Sequence, residues 1–276
     1  MRIHLKPKVN FAQNFIPKRS LSQNFLADET HLAPILKAAR LQPTDVVLEI
    51  GPGLGILTEK LAQNVQNVTA VELDRRLIEN LQERFQNQKH VQIIHDDILE
   101  VQLETLFSLP YKVVANLPYS ITNVAIRHLL ESPHPPDLSV LMVQQEVAER
   151  ICAKPGDLSI LAISVQFYTQ PQIIHYVPAS AFRPQPKVNS AIITLERFPQ
   201  PILPNVDTKI FFRIVRAGFS QKRKQLLNSL SGGLHLSKPI IRTTLMSLDI
   251  DPKRRAQSLS LDEWGKLSLE LMSRIA

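Results

Sequence analysis

The chain has 276 residues, 44% hydrophobic and 21% charged, with a net charge of +7, a balance expected of a globular protein long enough for one large domain and a small one. No apolar run approaches the ~20 residues needed to cross a bilayer, and the N-terminus lacks the apolar core of a secretory signal. The single cysteine, Cys152, leaves no internal disulfide and no cysteine-cluster zinc site, and fits a reducing, cytoplasmic compartment.

Arg2, Lys6, Lys8, Lys18 and Arg19 fall within the first 20 residues without an acid among them, so 1–20 reads as a basic N-terminal extension. At the other end, residues 200–276 hold 13 Lys and Arg against 6 Asp and Glu, the whole of the net excess. A polyanion held by the two ends, with chemistry between them, would produce this asymmetry; a solvated basic surface would produce it as well.

From residue 46 short β-branched runs alternate with helical stretches. The runs Val46–Ile50, Val68–Leu73, Val91–Ile94, Tyr111–Asn116 and Ser139–Gln144 are near-continuously apolar, as strands buried on both faces are. Between them Leu54–Gln63, Arg75–Phe85 and Ile121–Glu131 carry apolar residues at helical spacing. The class is therefore α/β: a doubly wound, Rossmann-like sheet, mostly parallel. Two further runs, Gln172–Val177 and Ser190–Leu195, flank a loop without a helix and are expected to pair antiparallel at one edge. Pro199, Pro201 and Pro204 then mark a boundary between a domain over 21–200 and a small all-α domain over 201–276. Its helices are expected at Lys209–Phe219, Lys222–Leu230 (stopped by Gly232 and Gly233), Pro239–Leu248 and Leu261–Ile275, the last with a Ser260/Glu263 capping box.

The loop "LEIGPGLG" (Leu48–Gly55) follows the first of these strands and opens a helix, where glycines allow close approach of a ligand to backbone N–H groups. Pro52 and the missing Lys-Ser/Thr argue against a triphosphate-binding loop. Glu72 ends the second strand, where an acid can accept from both ribose hydroxyls; a dinucleotide dehydrogenase would share both features. Asp96 and Asp97 follow the third strand, placed to accept from an adenine amino group, with Asp97 the favoured residue.

The fourth strand ends in "NLPY" (Asn116–Tyr119) at the topological switch point. An exocyclic amine is a poor nucleophile because its lone pair is delocalised into the ring. Two acceptors holding its hydrogens, the Asn116 side-chain oxygen and the Leu117 carbonyl, would pyramidalise the nitrogen and aim it at an electrophile. Pro118 fixes φ and brings no competing N–H. Tyr119 offers a flat face to a base turned out of its stack. Such positioning alone can lower a barrier by ~7–11 kcal/mol, without metal or covalent intermediate. A Pro-kinked strand-to-helix turn is the plainer alternative.

"NLPY" after "EIGPGLG", together with "SQNFL" (Ser22–Leu26), "VELD" (Val71–Asp74), "FRPQPKVNSAI" (Phe182–Ile192) and "RAGFSQKRKQLLNSL" (Arg216–Leu230), resembles the small-subunit ribosomal RNA adenine dimethyltransferase family over nearly the whole chain. The resemblance implies an S-adenosylmethionine-dependent enzyme that dimethylates N6 of two adjacent adenosines in a hairpin loop near the 3′ end of small-subunit rRNA, late in subunit assembly. By that resemblance Asn24 and Leu26 close over the methionine end of the cofactor, Gly51 and Gly53 lie in the loop against it, Glu72 holds the ribose and Asp97 the adenine. Asn116 sits between cofactor and target, with Tyr119 on one face of the target adenine and Phe182 on the other. Arg216, Lys222, Arg223, Lys224 and Lys187 form the RNA-binding set, Lys222 standing where the family pattern has an arginine. A basic run at a helix start suits phosphate contacts better than base reading. The expected partner is the small-subunit rRNA or its precursor particle, bound by a monomer. A large-subunit rRNA adenine methyltransferase and a non-enzymatic assembly factor on the same fold are the rival readings.

Overall fold

The computed structural model describes residues 15–18, 21, 23–200 and 202–275; Arg2, Lys6, Lys8 and Arg19 of the basic N-terminal segment, with Ser22 and Pro201, lie outside the described residues. In chain order come β1 (Phe25–Leu26), α1 (Leu32–Ala39), β2 (Val46–Ile50), α2 (Ile56–Ala62), β3 (Asn67–Glu72), α3 (Arg75–Phe85), β4 (Val91–His95), α4 (Leu103–Leu106), β5 (Lys112–Asn116), α5 (Thr122–Glu131) and β6 (Leu138–Gln144). All five expected strands are present.

These strands belong to a seven-stranded sheet that also takes in β7 (Thr169–Val177) and β9 (Ser190–Arg197), in the order β4-β3-β2-β5-β6-β9-β7. β9 runs antiparallel to both β6 and β7 at one edge, as the loop between their sequence runs led us to expect. A short outlying pair joins β1 to β8 (Phe182–Arg183), with Leu26 opposite Phe182. Both sheet faces are covered. Leu48, Ile50, Val113, Ala115 and Leu141 feed one core cluster, while the alternating residues Val47, Val114, Val140 and Met142 feed another with α1 and α2. This double burial is why the strands read as unbroken apolar runs.

From β2 the chain moves outward through β3 and β4, then crosses back to β5 on the other side. The register joins Val47 to Lys112 and Leu48 to Val113, whereas β5 stays paired to β6 as far as Asn116. The carboxyl ends of β2 and β5 therefore part, which opens the crevice of a doubly wound sheet.

Among the described residues four helices went unassigned in the sequence: α1, α4, α6 (Gln145–Ile151) and α7 (Ile160–Tyr168). α7 is apolar nearly all round because it is packed on two sides. Val165 joins the sheet core, and Ala162, Ile163 and Phe167 join the C-terminal helices; such a helix shows no amphipathic period.

The C-terminal unit comprises α8 (Thr208–Phe219), α9 (Leu226–Leu234), α10 (Lys238–Ser247) and α11 (Leu261–Ile275), closed around Phe211, Leu226, Leu230, Leu245 and Trp264. The capping box at α11 is formed: the Ser260 amide donates to Glu263 Oε2 at 2.7 Å, and the Glu263 amide to Ser260 Oγ at 3.1 Å. The expected helix at Lys222–Leu230 is corrected at both ends. Its start is delayed to Leu226, where the Leu226 and Leu227 amides donate to the Arg254 and Pro252 carbonyls; Lys222, Arg223 and Lys224 occupy the preceding turn. Its end runs past Gly232 and Gly233, because Gly233 is a packing residue here: a Cβ on it would lie 2.7 Å from Cβ of Ala217. The helix stops instead at His235, which takes a left-handed φ of 57°.

Candidate active site

The crevice is a cavity of about 270 Å³ lined, among others, by Asn24, Glu49, Gly53, Glu72, Asn116 and Tyr119. One wall is the turn from β2 to α2. Gly53 has φ +58°, and a Cβ there would lie 2.9 Å from the Phe25 ring; only glycine suits both the backbone and the space. Its amide donates to Glu72 Oε2 at 3.1 Å, and the Asp74 amide to Glu72 Oε1 at 2.8 Å. Each carboxylate oxygen thus holds one backbone N–H and keeps a second lone pair for a hydroxyl. Glu72 is buried, and burial raises its pKa against these two bonds.

The floor carries an acid to which the sequence reading gave no role. Glu49 is 1% exposed, and its Oε2 has no hydrogen-bond partner among the described residues, nor has the neighbouring Thr58 Oγ1. Burial pushes its carboxyl up to about 8, and the nearby Glu72 charge adds to the rise. The signal in the sequence was the one acid inside the apolar strand "VVLEI".

Residues 23–26 form the lid side. The Gln23 side-chain Nε2 donates to Asp74 Oδ2 at 2.8 Å. Asp74 caps α3 and is held far below the usual carboxylate range, first by the Arg76 guanidinium. Arg76 also donates to the Ile16 carbonyl at 3.0 Å and stacks over Phe15. These contacts tie the segment before β1 to α3, with Asn24 and Leu26 on the cleft wall. Beyond β4, Asp96 and Asp97 both line the cleft. Asp97 is the less exposed of the two, and its Oδ1 accepts the Leu99 amide at 3.0 Å.

Opposite the glycine turn stands the corner that ends β5. The Leu117 amide donates to the Met142 carbonyl at 3.1 Å, which carries the sheet pairing one residue past the strand. Pro118 packs against Gly51, 3.7 Å from a built Cβ, and its carbonyl accepts from the Ile121 amide and the Thr122 hydroxyl at the start of α5. Asn116 Nδ2 donates to the Asn24 carbonyl at 3.4 Å, which turns Oδ1 into the acceptor available to a second amine. The Tyr119 hydroxyl lies 2.6 Å from Oγ of buried Ser190, pinning its ring on the wall; burial raises its pKa, the Ser190 bond opposing.

Asn24, Leu26, Gly51, Gly53, Glu72, Asp97, Asn116, Leu117, Pro118 and Tyr119 thus share one cleft. Phe182 does not join them. It is 0% exposed and packs with Leu26, Leu32, Ile35 and Val177 beneath the β1–β8 pair, so the expected second stacking face is here a core side chain. Lys187, Arg216, Lys222, Arg223 and Lys224 are exposed, the first in the loop after β8 and the others on the helical unit.

The sequence model of the ribosomal RNA adenine dimethylase family matches residues 14–272. A ribosomal RNA small subunit methyltransferase A from Dehalococcoides mccartyi is 46% identical over 255 residues, 92% of this chain and 88% of its own. Its namesake from Alkaliphilus metalliredigens is 42% identical over 264 residues, 93% and 92% of the two chains. Among solved structures, a dimethyladenosine transferase from Plasmodium falciparum is similar with a TM-score of 0.79 at 27% identity, covering 91% of this chain and 98% of that one. The 23S rRNA methyltransferase ErmE gives 0.71 at 26%, covering 90% and 100%.

Proposed function

The chain belongs to the ribosomal RNA adenine dimethylase family, and from that premise we propose that it methylates N6 of two adjacent adenosines in the 3′-terminal hairpin of small-subunit rRNA, late in subunit assembly. The donor is S-adenosylmethionine, which supplies an electrophilic methyl carbon on a sulfonium. The observation that carries the reading is the meeting of the Asn116–Tyr119 corner with the glycine turn in one cleft.

The cleft's residues fit the donor. Glu72 keeps one lone pair on each oxygen for the ribose hydroxyls, the bare backbone at Gly53 admits close approach, and Asp97 suits the adenine amino group. Glu49 supplies a buried, unpartnered carboxyl oxygen, matching a cationic amino-acid end.

On the target side, Asn116 Oδ1 and the Leu117 carbonyl accept the two amino hydrogens. The nitrogen lone pair, withdrawn from the ring, then points along the line of transfer. Bound S-adenosylmethionine would supply the methyl carbon to which that pair is aimed, while Asn116 and Leu117 would hold the amino group in place and the amino proton would pass to water. Positioning and desolvation do the catalysis, so no side chain here has to change its protonation state. Tyr119, with its hydroxyl held by Ser190, presents a fixed face to the flipped base. The exposed cations of the helical unit meet the RNA backbone.

The test offers the purified protein and labelled S-adenosylmethionine to small and large subunits from cells lacking this protein, with the product mapped by mass spectrometry. Two dimethylated adenosines near the 3′ end of the small-subunit rRNA are expected. Methyl incorporation confined to the large subunit would overturn the reading.

A further inference from the structure

Four carboxyl groups line the cleft, those of Glu49, Glu72, Asp96 and Asp97, and among the described residues no lysine, arginine or histidine does. The lining from α1 and α2 is apolar, the segment before and through β1 contributes no charge, and the corner after β5 adds only the phenol of Tyr119, which burial keeps protonated. Three of the four acids have backbone donors. Glu72 accepts the Gly53 and Asp74 amides, Asp96 accepts the Asp97 amide at 2.8 Å, and Asp97 the Leu99 amide at 3.0 Å. Glu49 differs: it is buried, its Oε2 has no partner among the described residues, and the charge acting on it is the like charge of Glu72.

A buried carboxyl among like charges, with no cation beside it, keeps its proton. An ammonium placed against the same group favours the anion instead. We propose that Glu49 gives up its proton in exchange for the ammonium of the cofactor's amino-acid end, so that cofactor binding releases one proton and strengthens as pH rises. The inference rests on the function proposed above and adds to it a proton linkage at the same site. The balance is simple: the carboxyl O–H bond breaks, the proton leaves to water, and the carboxylate pairs with the ammonium. The neighbouring Thr58 hydroxyl, also without a partner among the described residues, is a donor for the anion once formed. With the free carboxyl pushed up to about 8 by burial, affinity rises with pH below that value and levels off above it.

The experiment is calorimetry of the full-length protein with S-adenosylhomocysteine, which carries the same amino-acid end, in buffers of different ionisation enthalpy. The slope of observed enthalpy against buffer enthalpy counts the protons released: at about pH 6.5 we expect about one for wild type and about none for Glu49→Gln. Between about pH 5.5 and 7.5 wild-type affinity should rise roughly tenfold per pH unit, while that of Glu49→Gln stays flat. 5′-Methylthioadenosine, which has the nucleoside without the amino-acid end, should bind wild type with no proton release. It carries the test if Glu49→Gln does not fold, which melting temperature reports. Wild-type binding of S-adenosylhomocysteine without proton release, or equal release by Glu49→Gln or with 5′-methylthioadenosine, would overturn the exchange. Wild-type protein that binds neither S-adenosylhomocysteine nor S-adenosylmethionine would instead count against the proposed function.

Discussion

A Cβ placed on Gly53 would lie 2.9 Å from Cε1 of Phe25: the glycine turn and the strand carrying Leu26 close on each other with no space for a methyl group. Gly53→Ala must therefore displace the ring or the turn, and it also places a side chain at φ +58°, a conformation that costs roughly 1–2 kcal/mol. We expect affinity for S-adenosylhomocysteine, measured by calorimetry, to fall about tenfold or more. Unchanged affinity would show that the turn does not frame the cofactor.

Asn116 reaches across the cleft to the Asn24 carbonyl at 3.4 Å, but its oxygen is assigned to the reacting amine. Asn116→Ala should lower kcat by on the order of 10²–10³, the scale for losing one aligned polar contact to the reacting group. S-adenosylhomocysteine should bind within about threefold of wild type, a change of less than ~1 kcal/mol. Equal loss of both would move Asn116 to the cofactor side.

Glu49, with its carboxyl pushed up to about 8 by burial, leaves a mark on stability. The unfolded chain loses this proton near the ordinary 4.5 while the folded chain keeps it, so the wild-type protein loses stability as pH rises between these values, then levels off. Glu49→Gln cannot titrate. Its stability relative to wild type should rise by a few kcal/mol from pH 5 to pH 8, read from denaturant midpoints. A difference that stays flat with pH would mean that Glu49 is ionised in the fold.

Tyr119 and Phe182 separate a face on the cleft from a core ring. Tyr119→Phe keeps the face and loses only the Ser190 bond, a cost of about 1 kcal/mol; Tyr119→Ala should lose kcat/KM roughly 10- to 100-fold, matching ~1–3 kcal/mol of stacking. Phe182→Ala should destabilise the fold by roughly 3–5 kcal/mol. Phe182→Leu keeps the volume without the aromatic face, and retained turnover is expected. Its loss, in a folded variant, would restore Phe182 to the target base.

Two adjacent glycines of α9 should answer oppositely to alanine. A Cβ on Gly232 meets nothing within 4 Å, so Gly232→Ala should stabilise by about 0.5–1 kcal/mol through helix propensity. On Gly233 it meets Ala217 at 2.7 Å, so Gly233→Ala should destabilise by roughly 1–3 kcal/mol. Denaturant unfolding of the two variants checks the sign.

The strand–helix alternation and nearly all the cleft could be read from residue order, since buried parallel strands announce themselves by apolar runs and ligand-binding turns by glycine and proline. What escaped were features set by contacts between distant segments. α7 hides its period because two cores share it, and α9 starts late because the Pro252 and Arg254 carbonyls take its first amides.

The chain's letters alone determined the α/β class, the glycine turn, the Asn-Leu-Pro-Tyr corner and the basic helical tail, because each depends on neighbours within a few residues. Only the tertiary structure decided that Glu49 lies buried with its Oε2 unsatisfied among the described residues and that Phe182 packs into the core. Burial and charge compensation depend on which surfaces packing brings together, and no local pattern encodes that.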